Sequence, residues 1–158
     1  MPASLYFKEL LRKFNEHQVR YLIVGAYAVM KYTEPRYTKD LDVWVEPTPE
    51  NAHRVFRALA EFGAPMNGVN VDDFTNPEVV FQIGIAPHRI DVLMDVKGLT
   101  FPDSWERRLA TEFEGEAIDL VCKPDLIIAK EAAGRPQDLI DLTNLRKSDQ
   151  VFADLGRK

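Results

Sequence analysis

The chain has 158 residues, which is enough for one compact domain with a hydrophobic core, and 46% of them are apolar while 28% are charged. This composition excludes a disordered or fibrous protein. The formal net charge of −5 argues against broad non-specific DNA binding, which needs a basic surface, but it leaves room for a local contact with RNA. A single cysteine excludes an intrachain disulfide and a thiolate metal cluster.

No apolar run approaches the roughly 18 residues that a membrane span requires. The first residues alternate apolar and charged side chains and lack the pattern of a signal peptide. We therefore expect a cytoplasmic protein without a membrane partner.

The hydrophobic periodicity predicts helices and strands in the order α-β-α-β-α-β-β-α-β-α-α. The predicted helices span residues 3–17, 26–32, 50–62, 104–110, 125–133 and 136–146, with a further short helix in the tail. The predicted strands span residues 21–24, 38–45, 79–85, 89–94 and 117–121, and the last of them is a candidate edge strand. Residues 63–77 are rich in Gly, Asn, Asp and Pro, which indicates a loop.

Mixed strands and helices of this kind predict an α/β or α+β fold with a mixed β-sheet packed against helices. We expect a single domain over residues 1–158, with its core in residues 20–122 and a C-terminal helical pair in residues 123–155.

The strand 38–45 carries the strongest chemical signal. Side chains alternate between the two faces of a strand, so the apolar residues of this segment face the core while Asp40 and Asp42 share the opposite face with Trp44. Two carboxylates at this spacing lie within roughly 7 Å of each other and repel. A divalent cation removes that penalty, and oxygen ligands suit Mg²⁺ or Mn²⁺. The alternative is a solvated strand face with two exposed acids.

A second acidic strand supports the metal site. Asp91 lies in the middle of strand 89–94, on the face that it shares with Asp95 at the strand end. Three carboxylates on neighbouring strands can hold two metal ions, which clamp the attacking and leaving oxygens of a phosphoryl transfer. Asp95 is the weaker candidate, and by itself Asp91 is as well explained as an exposed acid.

A glycine turn precedes these strands. Residues 22–28 form a strand, then Gly25, then the start of a helix, where free backbone N–H groups can bind phosphate. Glycine lets a ligand approach the backbone closely. Most such turns bind nothing, and this one gains weight because it lies 15 residues before Asp40.

Together these segments resemble the DNA polymerase β-like nucleotidyltransferase superfamily. The matching segments are Val24-Gly25-Ala26, a gap of thirteen residues, Asp40-Leu41-Asp42-Val43 and Ile90-Asp91-Val92. Residues 130–142 resemble the closing motif of small prokaryotic members, which include the abortive-infection type IV toxin nucleotidyltransferases. The resemblance covers residues 20–146, with one departure: Ala26 stands where the superfamily has Gly or Ser, so only its backbone N–H is available to a phosphate.

The C-terminal helices allow two interpretations of Lys130, which lies on the apolar side of its helix. A lysine rarely points inward unless it is paired, so a buried pair with Asp138 or Asp141 can join the two helices. The resemblance implies that Lys130 contacts the triphosphate and that Asp138 orients it or a nearby base, and both interpretations can hold together. Arg36 and Lys39 flank the acidic strand, and either can contact the triphosphate, although flanking charges are usually solvated.

The resemblance implies a metal-dependent enzyme that takes an NTP with Mg²⁺ or Mn²⁺, transfers NMP to an acceptor and releases pyrophosphate. In such an enzyme Asp40 and Asp42 bind both metal ions, and Asp91 binds the catalytic metal and helps to deprotonate the acceptor. The backbone amides at Gly25 and Ala26 bind phosphate. Lys130 neutralises the negative charge that develops during transfer.

The acceptor stays open among a tRNA end, a protein side chain and a small molecule such as an antibiotic. A homodimer or a partner protein that completes the cleft is also open. The alternative function is a catalytically weak or inactive nucleotide- or partner-binding protein of a toxin–antitoxin-type system. Ala26 favours this alternative, and the three aspartates disfavour it.

Overall fold

The computed structural model describes residues 2–38 and 40–156, with side chains up to residue 148. Within these residues the six strands are β1 (Tyr21–Val24), β2 (Asp40–Val45), β3 (Val80–Ile83), β4 (Arg89–Leu93), β5 (Leu109–Phe113) and β6 (Glu116–Leu120). The six α-helices are α1 (Ala3–Glu16), α2 (Gly25–Tyr32), α3 (Pro49–Phe62), α4 (Phe101–Glu106), α5 (Lys123–Ala133) and α6 (Pro136–Gly156).

The strands form one mixed sheet in the order β3-β4-β2-β1-β6-β5. β1 pairs parallel to β6 and β2 pairs parallel to β4, while the other neighbours are antiparallel. The predicted α/β fold with a mixed sheet and a C-terminal helical pair is therefore confirmed.

The central strands are the most buried part of the sheet, and this makes them a rigid support. All four residues of β1 are buried, as are the apolar residues of β2. α1 and α3 are amphipathic, pack against each other and turn their apolar faces inward. The acidic residues of β2 and β4 are thus attached to backbone that hydrogen-bonds to neighbouring strands on both sides.

The two C-terminal helices are joined by a short turn whose chemistry is visible in the sequence. Gly134 ends α5 in the left-handed conformation with φ 63°, and Pro136 starts α6. This turn folds α6 back against α5, and both helices contact α2. The predicted break at residues 134–136 is confirmed.

The region after β4 corrects the sequence analysis. The predicted helix over 104–110 is wrong in its second half, because α4 spans Phe101–Glu106 and β5 follows it at Leu109–Phe113. β5 and β6 form a hairpin whose two turn residues, Glu114 and Gly115, both have positive φ. That is the turn geometry that two-residue hairpins prefer. β6 is consequently an interior strand between β1 and β5, and not an edge strand.

Two smaller differences concern helices. A short 3₁₀-helix, Val71–Thr75, lies within the segment predicted as a loop, and Asn70 and Asp73 cap it reciprocally. The predicted separate helix in the tail is wrong as well, because α6 continues without a break to Gly156. None of the described helices combines the length and the apolar composition that a membrane span requires.

The side chain of Asn51 ties α3 to the sheet and gives a test of the fold. It is 1% exposed, accepts from the Arg20 N–H, and donates to the carbonyl oxygens of Arg20 and Glu46 at 2.8–3.0 Å. We expect Asn51→Ala to lower the free energy of unfolding by about 2–3 kcal/mol, because it removes three hydrogen bonds to the backbone of Arg20 and Glu46. Urea denaturation measures this. The exposed Asn67→Ala should change it by less than about 0.5 kcal/mol, and equal losses in both variants contradict the assignment.

Candidate functional site

Three carboxylates meet at the centre of the sheet. In the parallel pair β2·β4, Asp42 lies opposite Asp91, and Asp40 lies two pairs further along, opposite Arg89. Ligand oxygens of Asp40, Asp42 and Asp91 all lie within 4.8 Å of one another. The structure therefore brings together the three residues that the sequence predicts as metal ligands, and we call them the aspartate cluster.

The electrostatics of the aspartate cluster favour a bound cation. Burial raises the pKa of Asp42 to about 7, and the charges of Asp40 and Asp91 add to this effect. Burial and the charge of Asp91 also raise the pKa of Asp40. The strands thus hold three acids closer than their charges favour, and a hard divalent cation with oxygen ligands relieves that repulsion. The donor set fits Mg²⁺ or Mn²⁺.

Arg89 holds the third carboxylate, and the sequence analysis missed it. Its Nε and Nη2 donate to the two carboxylate oxygens of Asp91 at 3.0 and 2.8 Å, and Nη2 lies 3.7 Å from Asp40. Such a two-pronged pair fixes the orientation of the carboxylate plane. The signal was present in the sequence, because Arg89 and Asp91 are two residues apart on one predicted strand and must share a face.

Gly25 contacts the aspartate cluster directly. It has φ 71°, and a Cβ at this position would lie 2.1 Å from Oδ2 of Asp42, so the glycine is needed for both conformation and space. Val24 precedes the helix α2 and makes no side-chain cap, and none of the hydrogen bonds among the described side chains reaches the first amides, which include that of Ala26. The start of α2 thus offers N–H donors beside Asp42.

A cavity of about 180 Å³ opens at the same place, and we call it the first cavity. Its walls include Gly25, Asp42 and three cationic residues, Lys97, Lys130 and Arg135. The sequence analysis missed Lys97 and Arg135, which follow β4 and α5 in loops where periodicity carries no information. The predicted weaker acid, Asp95, lines this cavity and lies outside the aspartate cluster.

Lys130 is both buried and paired. Its Nζ lies 3.1 Å from Oδ1 of Asp138 and 3.0 Å from Oδ2 of Asp141, and both carboxylates are 1% exposed. The predicted lysine–aspartate pair between the two helices is therefore confirmed. Because the charge of Lys130 also acts on Asp42 and its side chain lines the first cavity, the predicted contact with phosphate is compatible with this pairing and stays a prediction.

Asp138 accepts hydrogen bonds from both Lys130 and Arg135. Burial by itself raises its pKa, but hydrogen bonds from Arg135 and Lys130 outweigh burial and hold the pKa below its usual value. Asp138 is thus a charged partner of two cations at the wall of the first cavity.

Arg36 lies on the far side of this network. Its Nη2 donates to Asp141 at 3.2 Å, and it lines a second cavity instead of the first. The structure does not bring Arg36 to the aspartate cluster, and its predicted contact with triphosphate stays a prediction. Lys39 lies outside the described residues.

Comparison with known proteins identifies the class of protein and then the family. The fold is that of a nucleotidyltransferase. It superposes on the crystal structure of the lincosamide antibiotic adenylyltransferase LnuA, lincomycin-bound, with a TM-score of 0.59 and 14% identity over 92% of this chain and 96% of that chain. The sequence profile of the family described as "Nucleotidyltransferase of unknown function (DUF6036)" matches residues 6–155, so the chain belongs to that family. None of the curated proteins matches it significantly in sequence. The resemblance to the polymerase β-like superfamily is confirmed.

Substitution of Gly25 tests the link between the glycine turn and the metal site. We expect Gly25→Ala to displace Asp42, to abolish Mn²⁺ binding in calorimetry and to destabilise the fold by about 2 kcal/mol or more. Gly68→Ala is the matched control, because Gly68 has φ 77° and open space around it, so that its cost is only the conformational penalty of about 1–2 kcal/mol. The assignment is contradicted if Gly25→Ala and Gly68→Ala destabilise the fold equally and Gly25→Ala still binds Mn²⁺.

The raised pKa of Asp42 predicts how the stability of the metal-free protein depends on pH. The folded state binds more protons than the unfolded state between the usual value of 3.8 and about 7, so stability falls as the pH rises through this window. Asp42→Asn removes this loss of stability. We expect the free energy of unfolding of the variant to exceed that of the parent by about 2 kcal/mol at pH about 8, but not at pH about 4.

Urea denaturation in a chelator at both pH values measures this difference. The exposed Asp72→Asn carries the same change of charge, and we expect it to alter stability by less than about 0.5 kcal/mol at either pH. A variant Asp42→Asn that is no more stable than the parent at the higher pH is the contradicting result.

Proposed function

We propose that this chain transfers a nucleoside monophosphate from an NTP to an acceptor and releases pyrophosphate, with Mg²⁺ or Mn²⁺ as cofactor. The observation that carries the proposal is the aspartate cluster, with its oxygens within 4.8 Å of one another, beside a cavity that is walled by a glycine turn and three cations. Phosphoryl transfer depends on positioning and charge stabilisation, and this arrangement supplies both.

Asp40, Asp42 and Asp91 would hold the Mg²⁺ or Mn²⁺. When bound there, the cation would supply Lewis-acid stabilisation of the charge on the transferred phosphoryl group. Asp91, whose plane Arg89 fixes, takes the proton from the acceptor hydroxyl. The new bond joins the acceptor oxygen to the α-phosphorus, the bond from that phosphorus to the bridging oxygen breaks, and pyrophosphate leaves.

The first cavity holds the triphosphate. The amides at Gly25 and Ala26 donate to phosphate oxygens at the start of α2. Lys130, Lys97 and Arg135 face the negative charge that develops on the leaving pyrophosphate. Asp138 keeps Lys130 and Arg135 in place, so we assign it a positioning role and no contact with the nucleotide.

One observation favours the alternative of a weak or inactive nucleotide-binding protein. Ala26 provides no hydroxyl to the triphosphate, so one contact available to superfamily members with Ser is missing. The complete aspartate cluster weighs against this alternative. The acceptor of LnuA is an antibiotic by its description, and for this chain a tRNA end, a protein and a small molecule remain the candidates.

Calorimetric titration with each NTP in Mg²⁺ tests the proposal. We expect the parent to bind at least one NTP, and Asp40→Asn/Asp42→Asn to weaken binding by about 100-fold or more, since even outer-shell partners of a metal site contribute 10–100-fold. Asp72→Asn/Asp103→Asn on the surface is the control with the same change of charge. The proposal is wrong if the parent binds no NTP, or if the Asp40/Asp42 variant binds as the parent does.

Transfer is tested with cell extract and two labels. We expect a metal-dependent transfer of label to an acceptor from NTP labelled on the α-phosphate, and none from NTP labelled on the γ-phosphate. The fraction that takes up label, whether RNA, protein or small molecule, identifies the acceptor class. Transfer of the γ-label contradicts the assigned reaction.

A further inference from the structure

A second cavity of about 780 Å³ lies between the segment 33–36, the start of α5 and the middle of α6. Among the described side chains, four cationic and two acidic ones line it, and we call it the basic cavity: Lys31, Arg36, Lys123 and Lys147, with Glu34 and Asp141. The surplus of positive charge contrasts with the net charge of −5 of the whole chain. Cationic clefts attract anionic ligands and raise their local concentration.

The acidic side chain deepest in the basic cavity is already neutralised. Asp141 is 1% exposed and pairs with Lys130 at 3.0 Å and with Arg36 at 3.2 Å. It therefore offsets little of the charge of the other cations. Lys31 and Lys147 are exposed, and among the side chains described up to residue 148 neither forms an ion pair.

The walls also present hydrogen-bond donors that suit phosphate oxygens. Arg36 uses Nη2 for Asp141, while its Nε is buried without a partner among the described residues, so the guanidinium retains an unsatisfied donor. Lys123 donates to Ser148, which holds its ammonium group at the wall. Asn144 adds a neutral amide, whereas the hydroxyl of Thr33 already donates to the carbonyl oxygen of Val29 at 2.9 Å. Guanidinium and ammonium groups with neutral donors between them are the usual composition of a phosphate site.

The basic cavity is adjacent to the proposed site of chemistry. Asp141 lines the basic cavity and accepts from Lys130, which lines the first cavity. The Lys130–Asp141 ion pair therefore joins the wall of one cavity to the wall of the other. A ligand in the basic cavity would lie on the Asp141 side of this ion pair and would leave the first cavity free.

We propose that the basic cavity binds a phosphate group of the acceptor, so that the acceptor is a phosphate-bearing molecule, either an RNA strand or a small phosphorylated compound. The role of this ligand as an acceptor rests on the proposed nucleotidyl transfer, but its binding to the basic cavity can be measured independently of that reaction. A neutral acceptor gains nothing from this concentration of charge, whereas each phosphate contact by Lys or Arg strengthens binding and makes it dependent on salt.

The test compares two double variants without added metal. Lys31→Gln/Lys147→Gln removes two cations from the basic cavity, and Lys8→Gln/Arg57→Gln removes two from α1 and α3, which do not line it. A fluorescein-labelled single-stranded RNA of about 12 nucleotides is titrated by anisotropy, and inorganic phosphate and a nucleoside monophosphate are titrated by calorimetry. We expect the cavity variant to bind at least about tenfold more weakly, with a salt slope reduced by about 1–2, and the control to bind as the parent does.

The outcomes separate the two sources of phosphate. Loss of RNA binding in the cavity variant alone supports an RNA acceptor, and loss of binding only to the small phosphates supports a phosphorylated small molecule. Equal loss in both double variants, or no binding of any probe by the parent, overturns the proposal.

A parallel titration with NTP and Mg²⁺ separates this inference from the proposed function. Both double variants should bind NTP as the parent does, because the substituted residues lie outside the first cavity. If Lys31→Gln/Lys147→Gln loses NTP binding, the basic cavity is the nucleotide site and the inference is wrong. If the parent binds RNA or phosphate but no NTP, the proposed function fails while the basic cavity stands as a phosphate site.

Discussion

The repulsion among three carboxylates on two parallel strands is the constraint on which the site depends. The register of β2 against β4 fixes Asp42 beside Asp91, and the buried β1 next to β2 prevents the strands from relaxing apart. Two cations reduce the repulsion from different sides, Arg89 on β4 and Lys130 on α5. The same geometry requires a glycine at position 25, because the carboxylate of Asp42 occupies the space that a side chain would need.

The C-terminal helices extend this balance of charge across the molecule. Arg135, Asp138, Lys130, Asp141 and Arg36 alternate in sign along a line of contacts that leads from the first cavity to the basic cavity. Buried ion pairs add little net stability, because desolvation offsets their attraction. Their value here is position: the two aspartates hold Lys130 facing Asp42, and they hold Arg36 at the wall of the basic cavity.

The sequence predicted what depends on local alternation and missed what depends on distant segments. Period-two alternation fixes the faces of strand residues, so the sequence predicts the positions of Asp40, Asp42 and Asp91. The same rule could have predicted the position of Arg89. β5 was missed because Leu109–Phe113 lacks a clear alternation, and its strand conformation depends on pairing with β6 through the turn at Glu114. The basic cavity unites residues 31–36, 123 and 141–148, and their proximity results from the packing of α2 against α6, which no local pattern encodes.

The missing hydroxyl at Ala26 is a smaller loss than it suggests. A hydroxyl that donates to a charged phosphate oxygen contributes about 1.5–3 kcal/mol, and a hydrogen bond from a cationic side chain to phosphate is at least as strong. The first cavity has three cations, Lys97, Lys130 and Arg135, so each of them that meets a phosphate offsets the lost hydroxyl. The backbone N–H of Ala26 is unaffected by the side chain and remains at the start of α2. In the proposed function, the departure from the superfamily motif would therefore lower the affinity for the triphosphate without abolishing its binding.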